Sequence, residues 1–255
     1  MNSFISQSNF DGKQIPIIAN TCNFPPPDKN GISLLSFEQV ETLFHEFGHA
    51  LHGLLSDVEY PSLAGTRVSR DFVELPSQLM ENWGRHPEVI KTYAKHYKTG
   101  ETIPDELLEK ISKASTFNQG FATGEYLASA IVDLEYHTSN LNDISPDEFE
   151  RTILSNYGMP EEIVMRHRST HFGHIFSGEG YSAGYYGYIW ADVLTSDAAE
   201  YFQSSKNGLF NAELSEKLIK FLFEPRNSID PMEAYRKFRG KDPDIKALMR
   251  DRGFL

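Results

Sequence analysis

The sequence predicts a mainly α-helical fold with one small β element. Apolar residues recur at helical spacing and give an amphipathic helix an apolar stripe for burial: Phe37, Val40, Phe44, Phe47, Leu51 and Leu54. Later segments carry a proline at the start or a glycine at the end, as helices often do. One short run, IPIIAN at residues 15–20, has the composition of a strand.

The predicted elements follow one another without an internal repeat or a clear linker, so we expect a single domain over residues 1–255. A proline-rich loop at 25–31 follows the strand. Ser36 and Gln39 then form a capping box at the start of the first helix. Further helical patterns lie at residues 70–83, 87–98, 104–115, 123–137 and 146–158, and a long helix that ends near residue 202 precedes three shorter ones.

Composition excludes several classes of function. The formal net charge of −12 disfavours nucleic acids and anionic membranes as partners, because both attract positive charge. The single cysteine, Cys22, rules out an internal disulfide. The sequence has no apolar run of transmembrane length, and its start lacks the basic and apolar regions of a signal peptide. We therefore expect a cytoplasmic protein.

The segment HEFGHALH, residues 45–52, predicts a metal site. His45 and His49 stand four residues apart, so on a helix both imidazoles point at one ion. Zinc suits such a site, because it takes three protein ligands and leaves a fourth position for water, whose proton a nearby base accepts. We expect one Zn²⁺ per chain, ligated by His45 and His49, with Glu46 as the base.

The residues alone leave the third ligand open. His52 and Gly53 follow His49 in the wrong order for the HExxHxxGxxH pattern. The ligand should therefore be a glutamate on the next helix, which offers Glu74 and Glu81.

Two residues close to Glu74 in the sequence, Asp71 and Pro76, affect how we expect its helix to form. Asp71 stands three residues before it, where its carboxylate could orient a metal ligand or cap a helix. Pro76 lies inside the predicted helix at 70–83, and we expect it to distort that helix because it removes one backbone hydrogen bond.

A stretch rich in tyrosine and glycine covers residues 171–190. Its tyrosines fall at i, i+4 and i+7, on one face of a helix: Tyr181, Tyr185 and Tyr188. Phenol hydroxyls and the neighbouring His174 can donate hydrogen bonds to an oxyanion. Gly178 and Gly180 permit close backbone approach, and we expect them to bind substrate. The remaining histidines of interest are interpreted as structural: His52, His167 and His171.

Three separated blocks resemble the catalytic domain of the thimet oligopeptidase family of zinc peptidases, nearer to its bacterial peptidyl-dipeptidase branch. The blocks are LLSFEQVETLFHEFGHALHGL, SLAGTRVSRDFVELPSQLMENW and HIFSGEGYSAGYYGYIWADVL. The closing FRGKDPDIKALMRDRGFL is similar to the end of peptidyl-dipeptidases. The resemblance implies a zincin-type helical catalytic domain over residues 1–255, as one lobe of a larger two-lobed channel peptidase.

The resemblance also implies roles for individual residues. It makes the glutamate of the FVE triplet, Glu74, the third zinc ligand. It makes Tyr181 and Tyr188 the oxyanion donors, with His174 and Tyr185 beside the substrate.

The function that the resemblance implies is zinc-dependent hydrolysis of short peptide substrates, with release of C-terminal dipeptides. Because members of the family are far longer, a preceding N-terminal region of the same protein is a further expected partner. The alternative is a zinc-binding helical module without activity of its own. Zinc content, together with cleavage of a quenched fluorescent peptide, distinguishes the two.

Overall fold

The structure is a computed structural model that describes residues 1–141 and 144–255. They form two compact units, which we call the first unit (residues 1–115 and 191–255) and the second unit (residues 116–190). The fold is mainly helical, as predicted. In the described residues, no helix combines the length and apolar character needed to cross a bilayer. The expectation of a single catalytic domain stays a prediction.

A small antiparallel sheet opens the first unit. Strand β1 (Asn2–Ile5) pairs with β2 (Ile17–Ala19). The strand predicted at residues 15–20 is confirmed in its central part. Strand β1 was not predicted, because all four of its residues are exposed and its sequence lacks the alternation of a half-buried strand.

The helices account for most of the remaining structure. In chain order they are α1 (Phe37–Leu54), α2 (Leu75–Arg85), α3 (Pro87–Tyr93), α4 (Asp105–Ala114), α5 (Gln119–Thr138), α6 (Pro146–Asn156), α7 (Gly173–Phe176), α8 (Gly187–Gln203), α9 (Ala212–Leu218), α10 (Pro231–Arg239) and α11 (Ile245–Asp251). A π-helical turn, Ile219–Phe223, extends α9.

The third helix is shorter than its sequence pattern predicts. Helix α3 ends at Tyr93 rather than near residue 98. The chain then folds back on itself, with the Ile103 N–H donating to the Ala94 carbonyl at 3.0 Å. The hairpin takes over the backbone hydrogen bonds that a longer helix would have used.

Helix α1 begins as predicted. The Ser36 hydroxyl accepts from the Gln39 N–H at 3.2 Å, and the Gln39 side chain accepts from the Ser36 N–H at 2.9 Å. Its buried face differs from the apolar stripe, since Phe47 is 47% exposed and Leu54 is 45% exposed. Small residues and one histidine occupy the buried positions instead: Gly48, Ala50, His52 and Gly53.

Each unit has its own apolar core. In the first unit, residues from α2, α8, α9, α10 and the π-helical turn pack together. In the second unit, α5 packs against the segment that precedes α8. The first core includes Leu75, Leu79, Leu194, Phe202 and Phe238, and the second includes Ala128, Val132, Met165, Phe172 and Tyr185.

Gly48 sets the spacing between α1 and α2. A Cβ atom at this position would lie 2.4 Å from the Pro76 carbonyl oxygen and 2.5 Å from the Ser77 Cα. Both are backbone atoms, so no change of rotamer could relieve the clash. The first turn of α2 can therefore lie directly against α1.

The predicted distortion at Pro76 is wrong. Helix α2 begins at Leu75, so the proline occupies its first turn rather than its interior. An N–H at that position would have no partner within the helix, and the fixed φ of proline suits a helix start.

Gly48→Ala should lower the free energy of unfolding by about 1–3 kcal/mol, the usual range for overpacking. Urea unfolding of the metal-free chain measures this change. The matched control is Gly124→Ala in α5, where a Cβ would meet nothing within 4 Å. That variant should be neutral or gain up to about 1 kcal/mol from helix propensity. Equal stability of the two variants would contradict the role of Gly48.

Candidate metal centre

Helix α1 presents His45 and His49 side by side, with ring centroids 4.9 Å apart. The Nε2 atoms of both rings face Oε2 of Glu74, at 3.4 Å from His45 and 3.1 Å from His49. One ligand atom from each of the three residues lies within 4.8 Å of the other two. The structure thus brings together the three residues that the sequence and the resemblance predicted, in a group that could hold a metal ion.

The donor set of this group fits zinc. Two imidazole nitrogens and one carboxylate oxygen form a common set of three protein ligands for catalytic zinc, with a fourth position left open. The Glu74 side chain is only 4% exposed, and a buried carboxylate requires a cation or hydrogen-bond donors around it. Other divalent transition metals also bind such donors.

The start of α2 positions Glu74. This residue is the N-cap, one position before the helix begins. The Ser77 hydroxyl donates to its Oε2 at 3.1 Å. Asp71 lies in the turn ahead of the helix, so it does not share a helical face with Glu74 as the sequence suggested.

Glu81 has a different role from the one considered in the sequence. Its Oε1 lies 2.8 Å from Nδ1 of His45, on the far side of the ring from Glu74. A carboxylate on Nδ1 places the proton there and leaves Nε2 free for a metal. In this arrangement Glu81 orients the ring of a candidate ligand, His45. The seven-residue spacing from Glu74, which is about two helical turns, could have indicated this arrangement.

The charges around the histidines shift their acid–base behaviour. Burial lowers the pKa of His45, but Glu74 and Glu81 outweigh burial and raise that pKa to about 9. Burial likewise raises the pKa of Glu74, but His45 and His49 outweigh it and hold that pKa far below its ordinary value. Both shifts favour the charged forms of His45 and Glu74, so a metal that binds the His45 ring would compete with a proton.

An open cleft of about 370 Å³ gives access to His45. It is lined by Glu38, Glu41, Thr42, His45, Glu46 and Glu81. The carboxylate of Glu46 is partly exposed and pairs with the amino group of Met1. The predicted base therefore borders a space that solvent can enter, next to His45.

The second unit brings the other predicted residues together. The rings of Tyr181 and Tyr188 are stacked, with centroids 5.3 Å apart and an interplanar angle of 6°. Tyr185 lies 5.2 Å from Tyr188. The His174 ring lies 5.7 Å from Tyr181 and 5.8 Å from Tyr185. We call these four residues the tyrosine cluster.

The predicted reason for this convergence is wrong. Helix α8 begins only at Gly187, so Tyr181 and Tyr185 lie in the turn before it rather than on one helical face. Ala183, between them, has φ of 54°, which an α-helix does not allow. A Cβ at Gly178 would meet nothing within 4 Å, so close packing does not require glycine there. Roles of Gly178 and Gly180 in substrate binding stay predictions.

Sequence reasoning missed His167 as a neighbour of the tyrosine cluster. Its Nδ1 lies 3.4 Å from the Tyr185 hydroxyl and 3.3 Å from the Ser129 hydroxyl. Its ring stacks on Phe172 at 5.1 Å. Local spacing gives no signal for these contacts, because Ser129 and Tyr185 are far from His167 in the sequence.

Comparison with known proteins agrees with the resemblance. The model of peptidase family M3 matches residues 1–254. A dipeptidyl carboxypeptidase of Escherichia coli (strain K12) is 40% identical over 257 residues, which cover 99% of this chain and 37% of that protein. An oligopeptidase A of Salmonella typhimurium is 35% identical, covering 94% of this chain and 35% of that protein.

A plant relative gives the same result. A probable cytosolic oligopeptidase A of Arabidopsis thaliana is 37% identical over 248 residues, which cover 95% of this chain and 35% of that protein. The chain thus spans a little over a third of the length of the curated relatives it matches.

Glu74→Ala should nearly abolish metal binding, because it removes one of three ligands. Glu81→Ala should weaken zinc affinity only about 10–100-fold, the usual effect of losing a group that orients a ligand. Competition with a chromophoric chelator measures both. Glu38→Ala removes another carboxylate of the same cleft and should retain full affinity. A greater loss in Glu81→Ala than in Glu74→Ala would make Glu81 the ligand.

Proposed function

The chain belongs to peptidase family M3, and on this premise we propose that it carries the zinc-dependent catalytic centre of a peptidase acting on short oligopeptides. We further propose that it releases dipeptides from their carboxyl ends. The observation that carries the proposal is the convergence of His45, His49 and Glu74 beside an open cleft that contains Glu46. The names of the relatives, dipeptidyl carboxypeptidase and oligopeptidase A, support this class of substrate.

His45, His49 and Glu74 would hold the ion through the three atoms that already face one another. When bound, zinc supplies a Lewis acid that polarises the substrate carbonyl and lowers the pKa of water to about 7. Glu81 keeps the His45 ring in the orientation that this requires.

Glu46 is the proposed general base. It follows His45 directly and borders the cleft, while the carboxylate ligand comes from Glu74. The Glu46 carboxylate pairs with the amino group of Met1 and would leave that partner when it accepts a proton from the attacking water. The same group then passes the proton to the leaving nitrogen, so the peptide bond breaks with release of a neutral amine rather than an amide anion.

The tyrosine cluster is the proposed oxyanion site. Negative charge develops on the former carbonyl oxygen as water adds, and hydrogen-bond donors already in position stabilise it. We assign this role to the hydroxyls of Tyr181 and Tyr188. His174 and Tyr185 are proposed to contact the substrate beside them, with Gly178 and Gly180 in the adjoining segment.

One experiment separates the proposal from its alternative. The purified chain is analysed for zinc and incubated with a quenched fluorescent peptide, and the products are identified by mass spectrometry. Dipeptides from the carboxyl end support the proposal, and internal fragments indicate an endopeptidase. Bound zinc without cleavage would identify a zinc-binding module that has no activity of its own.

Glu46→Gln should retain zinc and reduce kcat by about 10²–10⁴-fold, the usual contribution of a general base. The amide keeps the size of the side chain but cannot accept the proton. Glu38→Gln in the same cleft is the matched control and should leave kcat unchanged. Near-normal turnover by zinc-loaded Glu46→Gln would exclude this role.

Tyr188→Phe should reduce kcat by about 10²–10³-fold with little change in KM, as expected for a donor used mainly in the transition state. Only the hydroxyl is removed, so packing should be retained. The neighbouring Tyr186→Phe is the control. If kcat is unchanged and only the melting temperature falls, Tyr188 is structural and Tyr181 becomes the better candidate.

A further inference from the structure

A fully buried carboxylate on α5 holds the turn that carries the tyrosines. The Asp133 side chain is 0% exposed. Its Oδ1 accepts from the Ala183 N–H at 3.0 Å, and its Oδ2 accepts from the Tyr185 N–H at 2.8 Å. Both oxygens therefore bind the same short segment, about fifty residues further along the chain.

His137 and Ser182 extend this contact. The Nδ1 atom of His137 lies 3.0 Å from Oδ1 of Asp133 and 2.7 Å from its carbonyl oxygen. Both neighbours are acceptors, so Nδ1 carries a proton. In the neutral ring Nε2 is then an acceptor, and it lies 2.6 Å from the Ser182 hydroxyl, which donates to it. Asp133 on α5 and Ser182 in the turn are thus linked through the imidazole of His137.

The backbone of the turn explains why such a contact is needed. Ala183 adopts φ of 54°, a left-handed conformation that is unfavourable for alanine and persists only where its surroundings impose it. The N–H groups of Ala183 and Tyr185 donate to the Asp133 carboxylate rather than to a carbonyl of a regular helix. Left unpaired, the partly buried Ala183 N–H and the buried Tyr185 N–H would favour a different backbone path.

We propose that Asp133, with His137 and Ser182, is a positioning device that holds this turn in one arrangement and so sets the positions of Tyr181 and Tyr188. The inference rests on the proposed function for the role of the two tyrosines. Asp133 is a positioning residue, since it acts through the backbone of the turn and not on the substrate. Its burial, and the two backbone N–H groups that donate to it, distinguish it from a solvent-facing aspartate.

The test uses Asp133→Asn in the full chain. The amide has nearly the same size, but it can accept from only one of the two N–H groups and turns a donor toward the other. Asp147→Asn is the matched control, because Asp147 is an exposed carboxylate of the same unit that pairs with Arg168. Hydrogen exchange of residues 181–186, zinc content, kcat and KM are measured for both, and for the combination of Asp133→Asn with Tyr188→Phe.

We expect Asp133→Asn to retain zinc, to accelerate exchange in the turn, and to reduce kcat by about 10–10²-fold at nearly constant KM, the effect of a small misplacement of catalytic groups. The combined loss should be smaller than the product of the two single losses, because both changes act on the Tyr188 hydroxyl. Asp147→Asn should match the unmodified chain in every measurement. A residue that contributes only stability would change the melting temperature but not kcat.

Three results would overturn the inference: unchanged exchange in the turn of folded Asp133→Asn, normal kcat in that variant while Tyr188→Phe is impaired, or fully multiplicative losses in the combined variant. Normal kcat in Tyr188→Phe would instead remove this tyrosine from the proposed function. Hydrogen exchange would then be the only measurement that decides whether Asp133 holds the turn. If Asp133→Asn fails to fold, Ser182→Ala answers the same question, with faster exchange expected and unchanged exchange overturning the inference.

Discussion

A carboxylate buried against two imidazoles is the constraint on which the centre of the first unit depends. Glu74 is almost fully enclosed, and a charged group in such a place is tolerated only when cations or donors surround it. The neighbouring groups supply that environment: both histidines on α1, the Ser77 hydroxyl, and the carboxylate of Glu81 that keeps the His45 proton on the far nitrogen. Removing the partners would leave a charge that the core cannot hold, so the candidate metal centre and the packing of α1 on α2 are two aspects of one arrangement.

The sequence predicted well those features that depend on contacts within one or two helical turns. The pairing of His45 with His49, the capping box at Ser36 and the start of α6 at a proline are of this kind. It predicted poorly what depends on neighbouring elements. The apolar stripe of α1 suggested that Phe47 would be buried, whereas the close approach of α2 selects small residues for the buried face. Glu81 appeared to compete with Glu74, because only the folded structure shows that the two carboxylates meet opposite sides of one ring.

The tyrosine cluster shows how a correct grouping can follow from an incorrect reason. Spacing alone suggested a single helical face, and the rings do meet. They meet through a turn whose conformation is fixed by long-range hydrogen bonds to Asp133 rather than by regular helical geometry. Such contacts join residues that are about fifty positions apart, so no local pattern could have predicted them. An aspartate within a largely apolar helix was the one available signal, because such a residue needs partners when it is buried.

The missing side chain at Gly48 has a consequence for protein engineering. Grafting this centre onto another pair of helices would ordinarily begin with its ligands, copied as a motif of two histidines and a glutamate. Here a glycine between the two histidines sets the distance between the backbones of α1 and α2. A methyl group at that position would clash with the main chain of α2. Suppose that a transplanted site kept the two histidines and the glutamate but had alanine in place of Gly48. Its metal-binding side chains would be unchanged, but the two helices would be too far apart.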